Sequence, residues 1–320
     1  MKSVRTFSIL GILALGTPAC TPTAPTWRPC EDGCPLEESP KRDDKLGPVK
    51  WTLETSVTPS GLTGIWGADA NNIWAVGLNG TIIHWNGTTW RLQTSGTNER
   101  LDSVWGSDAR NIWAVGGNGT ILKWDGTTWS AQVSGTSSGL WSVWGTDSKN
   151  IWAVGAAGTI VKWDGSAWSA QDSGNGNNLN DVWGSDAANV WAVGGGGVIL
   201  KWNGMTWSSQ HSGTANLIRS VWGTSSKDVW AGAFGDVLHF DGSKWSSKVS
   251  DHNLEFENLW GSDATHVWGV GSNGVIASWD GKSWSTNPTG TTQIMGDVWG
   301  TDASNVWAVG DYGTVLHGQP

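Results

Sequence analysis

The sequence predicts an all-β protein, a seven-bladed β-propeller built from four-stranded antiparallel blades. The first observation is a tryptophan that recurs at intervals of 38 or 39 residues, at Trp66, Trp105, Trp144, Trp183, Trp222, Trp260 and Trp299. The second is that each copy divides into short strands separated by turn residues. The third is an N-terminal segment that matches the one strand missing from the last copy. Radial repetition of such units produces a propeller.

The second copy shows the four strands of one blade. It reads LDSVWGSDARNIWAVGGNGTILKWDGTTWSAQVSGT over residues 101–136. Strands A, B, C and D are centred, in that order, on Trp105, Trp113, Trp124 and Trp129. The turn between C and D holds Asn-Gly or Asp-Gly in six copies, beginning at Asn86, Asp125, Asp164, Asn203, Asp241 and Asp280. These pairs tolerate positive φ and predict a type I′ hairpin.

The two ends of the repeat region complement each other. The seventh copy ends after its strand C, whereas Trp51 lies 39 residues before Trp90, the strand-D tryptophan of the first copy. We therefore expect residues 50–57 to supply strand D of the seventh blade and to close the ring by hydrogen bonds. Closure also removes two free strand edges at which other chains could pair.

The repeat explains why 28 of the 320 residues are tryptophan. Strands A, B and D hold seven each and strand C holds five, which leaves Trp27 and Trp141 outside the pattern. A buried indole removes about 150–250 Å² from water, and blades pack face to face. We therefore interpret most of these tryptophans as packing residues between blades.

Written as xVWGSDxxNIWAVGxxGTILKWDGTTW, the blade resembles the repeats of the tectonin family, which likewise place a VWG-like strand before a G-x-I strand and a DG-x-x-W turn. The resemblance covers residues 49–320. The blade is also similar to Trp-rich propeller repeats of secreted bacterial proteins and, more distantly, to WD-repeat and Asp-box propellers. Tectonins include lectins that bind decorated sugars between blades, so the resemblance implies a glycan-binding role.

Residues 1–19 have the layout of a secretory signal. Basic residues precede an apolar run over residues 7–16, and small residues and Cys20 follow. The run is about half of the roughly 20 apolar residues that a membrane-spanning helix needs. A cysteine at this place resembles the bacterial lipoprotein signal, in which Cys20 is lipidated; ordinary secretion with cleavage near Ala19 is the alternative. We expect an exported protein of the cell envelope, at the outer membrane or cell surface, or a secreted one.

Residues 20–48 are interpreted as a Pro-rich flexible tether. They hold six prolines and the mixed-charge run EESPKRDDK, with little apolar surface to bury. Outside the cytosol, Cys30 and Cys34 predict a small disulfide. A zinc site is the alternative, although no second cysteine pair or nearby histidine completes four ligands. The propeller is expected to occupy residues 49–320.

Positions that recur in every copy are interpreted as structural. The A-to-B loop repeats an acidic residue that we expect to cap backbone N–H groups rather than to bind calcium, at Asp69, Asp108, Asp147, Asp186, Asp263 and Asp302, with Ser225 in the fifth copy. Strand C repeats a mostly basic position that we expect to form a solvated face, at His84, Lys123, Lys162, Lys201, His239, Ser278 and His317.

One column differs in every copy and is the candidate ligand site. It lies three residues before the strand-A tryptophan and reads Thr63, Asp102, Trp141, Asn180, Arg219, Glu257 and Gly296. Strand A is innermost in a propeller, so this column should surround one mouth of the central channel. The B-to-C loops open at the same end and add Phe234, Asp311 and Tyr312. Such a mixture suits a polar ligand with one apolar face, such as a sugar; drift on an unused surface is the alternative.

No catalytic residue, cofactor or metal site is expected. The run GTSSG over 135–139 matches a nucleophile-elbow pattern, but it lies in a D-to-A loop with no following helix. Residues 49–320 carry 22 acidic and 13 basic side chains, which disfavours nucleic acid. We expect a binding module of the bacterial envelope, attached to the membrane only through a lipid anchor, with a glycan as ligand. The alternative is a protein-interaction scaffold, and a propeller lyase or hydrolase comes third.

Overall fold

The computed structural model describes residues 49–249 and 255–320. Within these residues the chain forms seven four-stranded antiparallel sheets, which confirms the predicted all-β propeller. Strand A of each sheet contacts strand A of the next, and the seventh contacts the first, so the sheets form a closed ring. The predicted signal, the tether and the cysteines Cys20, Cys30 and Cys34 lie outside the described residues. None of the described helices is long and apolar enough to cross a membrane.

In blades 1 to 6 the four strands follow one another in sequence from the channel to the rim, and blade 7 takes its outermost strand from the N-terminal end. The innermost strands, A, are Leu62–Asp69, Leu101–Asp108, Leu140–Asp147, Leu179–Asp186, Ile218–Ser225, Phe256–Asp263 and Met295–Asp302. Strands B are Asn72–Gly77, Asn111–Gly116, Asn150–Gly155, Asn189–Gly194, Asp228–Ala233, His266–Gly271 and Asn305–Gly310. Strands C are Ile82–Trp85, Ile121–Trp124, Ile160–Trp163, Ile199–Trp202, Asp236–Phe240, Ile276–Trp279 and Val315–Gln319. Strands D are Trp90–Gln93, Trp129–Gln132, Trp168–Gln171, Trp207–Gln210, Trp245–Val249, Trp284–Asn287 and, for blade 7, Lys50–Leu53.

The B-to-C and D-to-A loops lie together at one end of the ring. Six B-to-C loops contain a short 3₁₀ turn, at Leu78–Gly80, Gly117–Gly119, Ala156–Gly158, Gly195–Gly197, Ser272–Gly274 and Asp311–Gly313. In five of these turns the first residue donates its N–H to the last residue of the preceding D-to-A loop, as Asp311 does to the carbonyl of Ile294 at 2.9 Å. We call this end the loop face.

The N-terminal strand closes the ring as predicted. Lys50–Leu53 pairs antiparallel with strand C of blade 7 and places Trp51 opposite Gly318. The register is that of the other blades, in which the corresponding pair in blade 3 is Trp168 and Trp163. The strand is shorter than the predicted 50–57, because the chain leaves the ladder after the N–H of Glu54 donates to Val315.

A tryptophan-to-glycine contact links each blade to the next. The strand-A indole of one blade lies over the glycine that follows the strand-A tryptophan of its neighbour, as Trp66 does over Gly106. Trp299 makes the same contact with Gly67 across the closure. A Cβ atom on any of the seven glycines would come within 2.5–2.8 Å of an indole carbon. The indole therefore occupies the space that a side chain would need.

The hydrophobic core is divided among the blade interfaces. In one of its clusters, Trp113 and Val115 of blade 2 meet Leu140, Ile151 and Trp168 of blade 3. The other clusters repeat this arrangement around the ring, and one of them includes the closing strand. The predicted packing role of the strand-B and strand-D tryptophans is thereby confirmed.

The A-to-B turns are held by side-chain oxygens, as predicted. In every blade the repeated acidic residue, or Ser225 in blade 5, accepts the backbone N–H two residues further along. For Asp108 and the N–H of Arg110 the distance is 2.8 Å. These carboxylates are therefore occupied in capping a tight turn.

The type I′ prediction for the C-to-D turns is wrong. In blade 2 the loop has four residues between Trp124 and Trp129, and only Gly126 among them has a positive φ. The carboxylate of Asp125 instead accepts the N–H groups of Thr127 and Thr128, at 2.8 and 2.9 Å. Asparagine and aspartate recur here because their side chains bind the turn backbone.

The prediction of a solvated face on strand C is also wrong. The three lysines and three histidines of this column lie against the strand-B indoles. The Nζ atom of Lys123 is 5.0 Å from the ring centroid of Trp113, and blades 3 and 4 repeat this contact. His317 stacks on Trp307 with ring centroids 3.7 Å apart. An indole face attracts a cation or another flat ring, so this column covers the outer edge of the core.

Truncation of the closing tryptophan should destabilise the propeller. Trp51 is 6% exposed and packs in the cluster between blades 6 and 7. We expect Trp51→Ala to lower the free energy of unfolding by about 3–5 kcal/mol, as for other buried aromatic residues. Urea denaturation followed by circular dichroism measures the change.

The matched control for this prediction is Leu53→Ala in the same strand. Leu53 is 66% exposed, so its truncation should change the free energy of unfolding by less than about 0.5 kcal/mol. Equal losses in the two variants would contradict the described packing of the closing strand.

Candidate functional site

A β-bulge near the start of strand A removes one residue per blade from the regular pairing. In blade 3, Leu140 pairs with Gly155 and Ser142 pairs with Val154, so Trp141 has no partner in the ladder. The same shift occurs in all seven blades at the predicted variable column. Bulges redirect side chains, and here they leave one position per blade free to vary.

The seven bulge residues line one cavity at the mouth of the central channel. Its volume is about 370 Å³. The contributions of blades 1 to 7 are Thr63, Asp102, Trp141, Asn180, Arg219, Glu257 and Gly296. The sequence therefore placed this column correctly. We call this concavity the mouth cavity.

Charged side chains pair at the mouth cavity. Arg219 Nη1 lies 2.6 Å from Glu257 Oε2 on the next blade. Arg100 Nε lies 2.7 Å from Asp102 Oδ1. Partly exposed pairs of this kind contribute little to stability. A guanidinium group has five N–H donors, so each arginine can also bind a ligand group.

A second polar ring lies one residue further along strand A, and the sequence analysis missed it. The column reads Gly64, Ser103, Ser142, Asp181, Ser220, Asn258 and Asp297. Two of its carboxylates bridge blades: Asp181 Oδ2 accepts the N–H of Val221 at 2.8 Å, and Asp297 Oδ2 accepts the N–H of Ile65 at 2.7 Å. In the sequence this column could have been recognised because its residues vary, whereas the next position is apolar in every blade.

Burial raises the pKa of the channel carboxyls. Desolvation raises the pKa of Asp181 to about 6 and that of Asp297 to about 8, and the charge of Asp181 adds to the second effect. Desolvation also raises the pKa of Asp102 to about 6, although Arg100 opposes it. Among the described residues, no ion pair forms at Asp181 or Asp297. The channel wall thus contains groups that titrate near neutral pH.

The three predicted loop residues lie on the loop face but outside the mouth cavity. Phe234 is exposed in the B-to-C loop of blade 5. Asp311 and Tyr312 line a separate groove between blades 7 and 1, together with Leu78, Asn79 and residues 59–61. The structure therefore divides the predicted site between the mouth cavity and this groove, which we call the seam groove.

Tyr312 has a backbone conformation that its residue type disfavours. Its φ and ψ are 54° and 31°, in the left-handed region. The equivalent residues are Asn79, Asn118, Ala157, Gly196 and Asn273. Asparagine and glycine adopt this conformation most readily. The side chain of Tyr312 is 74% exposed, so its burial does not offset the strain.

The donor set of the mouth cavity is suited to recognition. It combines an indole, an amide, two ion pairs and carboxyl groups. No group of three His, Cys, Asp or Glu side chains in residues 49–249 and 255–320 could hold a metal ion. What the cavity offers is hydrogen bonding and stacking to a polar ligand.

Comparisons with known proteins identify similar folds. No family model and no curated protein matches the chain. The solved structure of YCF48 bound to D1 peptide has a TM-score of 0.71 and 18% identity, covering 86% of this chain and 96% of that one. YCF48 from Cyanidioschyzon merolae gives 0.68 and 18%, with coverage of 84% and 99%. The WD40 β-propeller domain of Doa1 gives 0.71 and 12%, with coverage of 85% and 97%. Identities this low show the fold alone.

Titration of Asp297 should make stability depend on pH. In the folded protein its pKa is about 8, against an ordinary value of 3.8. The unfolded chain therefore binds fewer protons between these values, and the free energy of unfolding should fall as the pH rises. Asp297→Asn should remove most of the decrease between about pH 6.5 and pH 8, as measured by urea denaturation.

Asn258 occupies the same column in blade 6, so asparagine is compatible with the position. The control is Asp108→Asn on the opposite face, because hydrogen bonds hold the pKa of Asp108 below its usual range and it stays ionised throughout. This variant should keep the wild-type slope. If Asp297→Asn keeps the wild-type dependence of the free energy of unfolding on pH, the raised pKa of Asp297 is contradicted.

Replacement of Tyr312 should stabilise the protein. Tyr312→Asn should raise the free energy of unfolding by about 1 kcal/mol, because asparagine tolerates a conformation that costs other residues roughly 1–2 kcal/mol. Tyr312→Phe keeps the ring and the strain and should leave stability unchanged. Urea denaturation compares the three proteins; a destabilised Tyr312→Asn would mean that the ring contributes to packing.

Proposed function

We propose that this chain is a protein-interaction propeller that binds a polypeptide partner on its loop face, around the mouth cavity. One observation carries the proposal: among seven similar blades, the bulges place at the mouth cavity a column whose residue is different in every blade. The opposite face, formed by the A-to-B and C-to-D turns, repeats the same capping residues in nearly every blade. A ring of seven similar blades with seven different side chains at its mouth is suited to a partner that lacks sevenfold symmetry.

The loop face also has the composition of a protein interface. Leu217, Phe234 and Ile294 are exposed apolar side chains on this face. Trp141 and Arg219 lie in the mouth cavity, and these two residue types are frequent among side chains that dominate binding energy. Apolar contacts beside a few strong polar anchors are typical of protein–protein interfaces.

The similar folds support a polypeptide ligand. One of them, YCF48, was solved bound to D1 peptide. A peptide ligand on a propeller of the same general fold fits our proposal for this chain. The role we propose is binding rather than catalysis.

A glycan is the second candidate ligand, and Trp141 favours it. Its half-buried indole shares the mouth cavity with Asn180 and Asp102, and sugars bind between aromatic faces and polar side chains. The cavity volume of about 370 Å³ lies within the usual range for small-molecule sites.

We further propose that the protein works at the bacterial cell envelope. The signal-like residues 1–19 and the cysteine that follows support export and attachment through lipidated Cys20. Radiolabelled palmitate should label the wild type and not Cys20→Ala. Equal labelling of the two would contradict lipidation.

Photo-crosslinking tests the proposed interaction. A photoreactive phenylalanine analogue at Leu217, beside the mouth cavity, should crosslink to a defined polypeptide in the native host cell. The same analogue at Met205, which is 83% exposed in a C-to-D turn, should not. Trp141→Ala and Arg219→Ala should each weaken binding of the identified partner by about tenfold or more, as truncated interface anchors do.

Free saccharides separate the two candidates. A saccharide that quenches indole fluorescence in the wild type but not in Trp141→Phe would favour a glycan, above all if Leu217 crosslinks to no polypeptide. Crosslinking from Met205 as strong as from Leu217 would contradict the assignment of the loop face.

A further inference from the structure

The seam groove is a second concavity on the loop face, separate from the mouth cavity. Its volume is about 470 Å³. Leu78 and Asn79 of blade 1 form one wall, Asp311 and Tyr312 of blade 7 form the other, and residues 59–61 lie between them. None of these residues lines the mouth cavity.

Ring closure does not require the carboxylate and the aromatic ring that line this groove. Four of the other five blades that have a 3₁₀ turn pass the same two positions with small or amide residues, at Gly117 and Asn118, Ala156 and Ala157, Gly195 and Gly196, and Ser272 and Asn273, and blade 1 has Leu78 and Asn79 there. Blade 7 alone among them places a carboxylate followed by an aromatic ring there. The backbone path is the same, since the central residues share a φ of about 50–66°.

Tyr312 lacks a structural reason for being a tyrosine. It adopts the left-handed conformation and is 74% exposed. A bulky side chain that is both strained and exposed is typical of a residue retained for binding. The phenol makes no hydrogen bond to another described residue, so its polar end is also available.

The charge of the groove favours a positively charged ligand. Asp311 is its one ionisable carboxyl, and no basic residue lines it. Within the described residues, Asp311 forms no ion pair. Residues 49–320 carry 22 acidic and 13 basic side chains, which adds a general attraction for cations.

We propose that the seam groove docks a lysine or arginine side chain of a partner polypeptide. The ring of Tyr312 offers a face for the cation, the Asp311 carboxylate offers an ion pair, and Leu78 offers an apolar wall for the aliphatic stem. The inference rests on the proposed function in one respect, that the partner is a polypeptide. It adds a second contact point for the partner. Part of the binding free energy from this contact is independent of the mouth cavity.

The sequence provides an unusually clean probe of this groove. Tyr312 is the chain's single tyrosine, so 3-fluorotyrosine incorporation gives one ¹⁹F resonance that reports on the groove alone. Hexalysine should shift this resonance in a saturable way, and hexaglutamate should not. The shift should diminish as the salt concentration rises from about 0.05 to about 0.5 M, because partly exposed charges are screened.

Two variants make the test specific. Asp311→Asn keeps the shape of the side chain and should weaken hexalysine binding by about threefold or more. Asp302→Asn, the same change on the opposite face of the same blade, should leave it unchanged. No shift with hexalysine, an equal shift with hexaglutamate, or equal binding by Asp311→Asn and the wild type would overturn the proposal.

The outcome is distinguishable from that of the proposed function. Trp141→Ala and Arg219→Ala alter the mouth cavity and should leave the hexalysine response intact. A normal response together with absent crosslinking from Leu217 would count against the proposed polypeptide partner alone. A ¹⁹F shift produced by a neutral saccharide and not by hexalysine would overturn the cationic assignment.

Discussion

The contact between a strand-A indole and the glycine of the next blade is the constraint on which the rest of the ring depends. It recurs seven times, including across the closure from Trp299 to Gly67. Because the indole lies where a Cβ would be, it fixes how closely the innermost strands approach. The interblade clusters then complete the same interfaces further out. One local dipeptide, Trp-Gly, thus sets the geometry of a closed ring.

A tightly specified frame allows one position per blade to vary. The bulge in strand A removes that residue from the ladder, and its neighbours on either side remain paired. Blades can therefore carry a tryptophan, an arginine or a glycine there without a change of register. Just inside this ring, Asp181 and Asp297 hold neighbouring blades together through backbone N–H groups. The residue that varies and the residue that links the blades are thus adjacent on the same strand.

Repetition made the fold and the mouth cavity predictable from sequence. The period located the strands, and the orphan strand around Trp51 located the closure. The pattern at a single position was less informative where tertiary contacts determine the environment of the side chain. Lys123 was expected in solvent but covers an indole, and Asp125 was expected in a type I′ hairpin but binds its own turn. The pairing of Arg219 with Glu257 depends on contact between blades, which 38 residues of separation do not reveal.

The closing seam has a further consequence for topology. Lys50 lies opposite Gln319 in the register of an ordinary C-to-D hairpin that lacks only its turn. The ring is therefore cyclically equivalent: joining these two ends through a short turn and opening any other C-to-D turn would yield a circular permutant with the same blades. The strand pairing of blade 7 therefore has the same register as that of the other blades. The carboxylate and the aromatic ring of Asp311 and Tyr312 beside the seam are therefore not a requirement of ring closure.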